Sequence, residues 1–143
     1  RARVLGAPWW LPFYRKEDEA GALELTAGIA LAFSREVTAS GAHALVVILP
    51  SRDDLEFARR EGRSTYAPLV AALEAQGTPA LDLGGGLLAR LGSRPTAEIF
   101  ARRGHYDEEG NRIVAELMAR YLLETCEGCR RRIAIARGSE DRS

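Results

Sequence analysis

Ala44-Leu45-Val46-Val47-Ile48-Leu49-Pro50-Ser51-Arg52 is the stretch on which the fold turns. Apolar residues run together from Ala44 to Leu49 without alternation, and Pro50 closes the run. A run of that kind predicts a strand covered on both faces, as strands of a parallel sheet are. Ser51 and Arg52 then lie just beyond its carboxyl end. Upstream, Glu19 to Ser40 carries Leu25, Ile29, Phe33 and Val37 at four-residue intervals, which predicts a helix with one apolar stripe. Ser40-Gly41 ends that helix, because glycine suits the left-handed position just past a helix. Downstream, Asp53 to Arg60 reads as a short helix. Ser64-Thr65 precede a second helical pattern with Leu69, Val70 and Leu73, which stops at Gly77; Pro68 fits there within the first turn. Thr78 to Leu83 reads as the next strand, and Gly84-Gly85-Gly86 as a flexible turn into Leu87 to Leu91.

The order is helix, strand, helix, strand, helix. It predicts an α/β fold with parallel strands joined by right-handed crossovers. Two strands make a poor sheet, since each leaves unpaired edge groups. The simplest expectation is an incomplete sheet whose other strands precede Arg1, in keeping with a chain that opens on arginine rather than methionine. The open strand edges would offer a route to self-association.

Size and composition allow one domain with a real core: 143 residues, of which 46% are hydrophobic and 28% charged. Lys+Arg and Asp+Glu both number 20, so the chain lacks the basic footprint of a general nucleic-acid binder. No apolar run reaches the roughly 18 residues of a membrane span, and no signal peptide is visible after Arg1-Ala2-Arg3. Residues 1–18 form an irregular segment dense in aromatics, with Trp9, Trp10, Phe13 and Tyr14 around Pro8 and Pro12. Residues 19–125 hold the α/β pattern, and residues 126–143 form a polar, arginine-rich tail. The two cysteines, Cys126 and Cys129, cannot close a four-ligand zinc site alone, and they follow the last helix instead of opening one. No metal site and no cofactor are expected. The triple glycine lacks the lysine and Ser/Thr of a phosphate loop.

Two histidines remain for chemistry. His43 sits in a turn that feeds the first strand, and a surface role accounts for it. His105 lies in Gly104-His105-Tyr106-Asp107-Glu108-Glu109-Gly110-Asn111, ahead of a helix. Asp107 is a good N-cap, Glu108 and Glu109 suit the first turn, and Ile113, Val114, Leu117, Met118, Tyr121 and Leu122 make an apolar face. The loop follows the second strand, where sites of open α/β sheets gather at the strands' carboxyl ends.

His105-Tyr106 with Gly110-Asn111-Arg112-Ile113-Val114-Ala115-Glu116 resembles the C-terminal histidine block of SGNH/GDSL-type hydrolases. The order of elements from roughly Ala20 to Glu124 also looks like the later half of that fold. The resemblance implies a three-layer α/β/α domain and an ester or acetyl group, on a small molecule, sugar or lipid, as substrate. It implies that His105 serves as general base for a serine nucleophile. Localisation is fixed by no segment, although hydrolases of this kind often act outside the bacterial cytoplasm.

Only His105 carries over. The family's carboxylate commonly stands three residues before the histidine, where this chain has Arg102. The serine, glycine and asparagine blocks are absent, so the nucleophile is expected outside these residues. Ser51 lacks the glycine-flanked turn of a nucleophile elbow, and Ser93 has no distinguishing context. Among the acids, Asp82 ends a strand and is best read as an acceptor of loop N–H groups; Glu98 and Asp107 are weaker partners for a histidine. The competing expectation is a non-catalytic α/β binding or assembly module, a degenerate SGNH-like domain that uses its aromatic segment and sheet edge as partner surfaces.

Overall fold

The computed structural model describes residues 8–15, 19–102 and 104–128. Most of the tail, Cys129 included, lies outside them. The fold is mixed α/β and largely helical, with one two-stranded parallel sheet.

The N-terminal segment makes one 3-10 turn, Leu11–Tyr14, with proline in its first positions. Helix α1 spans Ala22–Ala39 and leads to strand β1, Val46–Ile48. Helices α2 (Arg52–Glu61) and α3 (Ala67–Ala75) connect β1 to strand β2, Ala80–Asp82. Helix α4 (Gly84–Leu91), a second 3-10 turn (Thr96–Ile99) and helix α5 (Glu108–Thr125) complete the described chain. Both helices that feed a strand end alike. Gly41 and Gly77 take φ of +83° and +67°. The next N–H, of Ala42 or Thr78, returns to the carbonyl five residues back, Val37 or Leu73. This Schellman closure satisfies helix-end carbonyls and turns the chain sharply, which glycine permits without a Cβ clash.

Pairing is Val46 with Ala80, Val47 with Leu81 and Ile48 with Asp82. Alternate residues of a strand face opposite ways, and here they reach two different cores. Val46, Ile48 and Ala80 pack against Leu23 and Ala27 of α1, Tyr66, and Leu69 and Leu73 of α3. Val47 and Leu81 pack against Leu55, Leu83, Leu87, Leu91, Ile99, Ile113 and Leu117. No third strand joins the sheet among the described residues. As a result β1 is half-buried along its length, where the continuous apolar run predicted full burial.

Two further expectations change. The stripe on α1 faces outward: Leu25 is 63% exposed, Ile29 62% and Phe33 49%. The helix instead buries Leu23, Ala27 and Ser34 and packs on α3. Residues two apart on a helix lie nearly opposite, so burying the Leu23–Ala27 face turns Leu25 and Ile29 to solvent. The triple glycine is no flexible turn but the first turn of α4. Close packing explains two of the three glycines. A Cβ on Gly84 would stand 2.5 Å from the Tyr66 hydroxyl, and one on Gly86 would stand 2.9 Å from the Leu117 side chain. Gly85 faces open space.

The three glycines therefore differ in sign. Gly86→Ala should cost about 1–3 kcal/mol through overpacking. Gly85→Ala should add about 0.5–1 kcal/mol by removing unfolded-state freedom from a helical position. Urea unfolding followed by far-ultraviolet circular dichroism would check both, and equal shifts in the same direction would contradict the packing described.

Candidate functional site

The carboxyl ends of β1 and β2 are built around polar side chains. Ser51 caps α2: its hydroxyl accepts from the Asp54 N–H, and Asp54 in turn accepts from the Ser51 N–H, a capping box. Asp54 is 8% exposed and holds more than the cap. Its Oδ2 also accepts from the Ser51 hydroxyl at 2.7 Å. Its Oδ1 accepts from Thr65 Oγ1 at 2.5 Å and from Trp10 Nε1 at 2.9 Å. Trp10 is thereby fastened beside the end of β1, while Trp9 remains 76% exposed and meets Trp10 and Phe13 edge to face.

At the end of β2, Asp82 Oδ1 accepts from the Gly84 N–H at 2.8 Å and from the Tyr66 hydroxyl at 2.9 Å. Asp82 thus closes the β2–α4 turn and binds Tyr66. Burial, helped by the Asp82 carboxylate, pushes the Tyr66 hydroxyl well above its ordinary range, so it stays a donor.

The His105 loop reaches the same rim. Phe100 and Tyr106 form an antiparallel bridge, and their rings stack at 4.6 Å. Between them the backbone closes on itself, with Ala101 N–H donating to His105 O at 2.8 Å and Gly104 N–H to Ala101 O at 3.0 Å. Asp107 N–H donates to Ile99 O at 3.1 Å. The Tyr106 hydroxyl donates to Pro50 O at 2.5 Å, across 56 residues, and so fastens the loop just past β1.

The rest of the histidine block supports this arrangement. The Asp107 side chain accepts from the Gly110 N–H at 2.8 Å and caps α5. Asn111 Nδ2 donates to Tyr106 O at 3.2 Å. A Cβ on Gly110 would collide with the Ile99 carbonyl and stand 2.8 Å from the Tyr106 ring, so glycine lets α5 start directly against the loop.

His105 itself is exposed. Among the described residues no carboxylate lies within ion-pair or hydrogen-bond distance of its ring, and Arg102 is exposed on the same loop. The other candidates stand apart from it. Ser51 is committed to its cap, and Asp82 to Gly84 and Tyr66. Ser93 is an exposed turn residue, and Glu98 pairs with Arg94 at 3.5 Å. His43 is exposed and lines a cavity of about 720 Å³ with Leu45, Pro79, Tyr121, Leu122 and Thr125. That cavity is larger than the 360 Å³ depression lined by Asp107, Glu108, Glu109 and Arg112. It adjoins the residues that precede both strands, away from the His105 rim, and Glu127 also lines it. Among the described residues no three or more His, Cys, Asp or Glu side chains gather as a metal set, and no helix is long and apolar enough to cross a membrane.

Sequence reasoning missed Asp54 and Tyr106. The Ser51-x-x-Asp54 spacing does carry the signal of a cap. No local pattern announces the bonds from Trp10 and Thr65, or from Tyr106 to Pro50. Asp54→Ala should cost about 2–4 kcal/mol, because it removes a cap and strips acceptors from buried donors. Denaturant unfolding would measure the loss, and Trp10 should shift its emission to the red as it leaves its partner. An unshifted spectrum with wild-type stability would contradict the anchoring role.

Set beside known proteins, the chain matches no family model, no curated protein and no solved structure.

Proposed function

We propose that this chain is the histidine-bearing portion of an SGNH/GDSL-like serine hydrolase of three-layer α/β/α architecture, cleaving an ester or acetyl group. The observation that carries the reading is an exposed imidazole with no hydrogen-bond or ion-pair partner among the described residues, on a loop held by backbone and side-chain hydrogen bonds. A loop fastened so firmly around an exposed imidazole suits a group reserved for a substrate or a nucleophile. In this reading a serine from outside these residues attacks the acyl carbon. His105 takes the serine proton as the bond forms and returns it to the leaving alkoxide as the tetrahedral intermediate collapses. The carboxylate that usually orients the histidine has no counterpart at Arg102, so orientation falls to the loop.

A second reading is favoured by that same arginine: a non-catalytic module whose exposed strand edges and aromatic segment meet a partner. The two readings separate in one experiment. Hydrolysis of p-nitrophenyl acetate by the natural gene product that carries this chain is measured for wild type, His105→Ala and His43→Ala. The enzyme reading expects His105→Ala to lose at least about 100-fold in kcat/KM, the scale of general acid–base catalysis, with His43→Ala unchanged. Equal rates for wild type and His105→Ala would remove His105 from the chemistry. Absence of turnover together with absence of fluorophosphonate labelling would favour the module.

A further inference from the structure

We propose that Tyr106 is the positioning residue of this site, its hydroxyl on Pro50 O setting where the His105 imidazole stands. Its effect on turnover rests on His105 being the base; the positioning itself is a property of the loop.

The bonds within the loop shape it without locating it. Ala101 to His105 and Gly104 to Ala101 are internal links, and the Phe100 ring belongs to the same hairpin. Apolar packing and polar bonds tie the hairpin to the rest of the molecule. Ile99 is fully buried in the core, and the Phe100 and Tyr106 rings pack against the same cluster. Asn111 of α5 holds the Tyr106 carbonyl, and the Tyr106 hydroxyl makes the long-range bond, reaching the carbonyl of buried Pro50 at 2.5 Å. Pro50 is a stiff anchor: it stands two residues past the end of β1 and directly precedes the Ser51–Asp54 capping box. The exposures fit this placement: Tyr106, drawn inward onto Pro50, is half-buried, and His105 beside it in the bend is exposed.

The hydroxyl is more than a passenger on a packing ring. Stacking on Phe100 and the close contact with Gly110 would be served equally by phenylalanine. Only the oxygen can donate to the Pro50 carbonyl. Burial and the neighbouring Asp54 carboxylate raise the hydroxyl's pKa, so the bond does not titrate in the range where a histidine works.

Tyr106→Phe in the same gene product tests the proposal, because it keeps the ring and deletes the donor. The chain holds two histidines, so His43 serves as an internal control in imidazole NMR. The expected result is a folded protein in which the His105 ring signals shift and lose order while those of His43 stay. Ester turnover should fall between about 10- and 100-fold, the range for a slightly misplaced catalytic group. The loss should sit in kcat with KM nearly constant and the pH–rate profile unchanged in shape. Tyr106→4-aminophenylalanine, which returns a donor to the same place, should restore the His105 signals, and it also serves if the phenylalanine variant does not fold. Unaltered His105 signals in Tyr106→Phe, or a folded 4-aminophenylalanine variant with a disordered His105 ring, would overturn the proposal. If His105→Ala leaves turnover intact while Tyr106→Phe still disorders the ring, the hydrolase reading fails and the positioning stands.

Discussion

The Asp54 carboxylate is the group on which the rest of this rim depends. A charge at 8% exposure is costly unless donors surround it. Here the Ser51 N–H and hydroxyl, the Thr65 hydroxyl and the Trp10 indole all donate to it. One side chain thereby joins the aromatic N-terminal segment, the first turn of α2 and the loop before α3. The turn it stiffens begins with Pro50, whose carbonyl receives Tyr106. The chain of dependence runs from a buried acid, through a rigid turn, to the loop that carries His105.

That loop combines a tightly held backbone with an exposed imidazole. Gly110 allows α5 to abut it, Asp107 starts the helix, and Asn111 returns a bond to the Tyr106 carbonyl. Tyr106, Asp107, Gly110 and Asn111 thus each have a mechanical task, while the His105 side chain is exposed. Arg102 stands where a carboxylate would steady the ring in an SGNH-like enzyme. In the hydrolase reading, backbone fixation takes over part of that orienting task, at the cost of the electrostatic help a carboxylate gives an imidazolium.

Much of the fold was legible along the chain because its signals are local. The apolar run closed by Pro50, the glycines at 41 and 77, and Asp107 as a cap each act through neighbours a few residues away, and each marks an element boundary. The face of α1 was not legible. Leu25, Ile29 and Phe33 keep helical spacing, which identifies an apolar face without saying what covers it. The face that packs on α3 carries Ala27 and Ser34, small side chains that permit close approach of the two helices. Gly84 and Gly86 were misread for a related reason: their smallness answers to Tyr66 and Leu117, which are remote in the chain.

The sequence alone determined the order of the elements, the start of α5 at Asp107 and the presence of a histidine just before it, since propensity, capping and periodicity all operate within a turn or two of chain. The tertiary structure decided the rest of the site. It chose which helix face is buried, made Asp54 a junction for Trp10 and Thr65, and set Tyr106 on Pro50 beside an exposed His105. Those outcomes depend on contacts that span up to 56 residues. Such a contact leaves no periodic trace in either partner, because each side chain answers to a neighbour that only folding brings near.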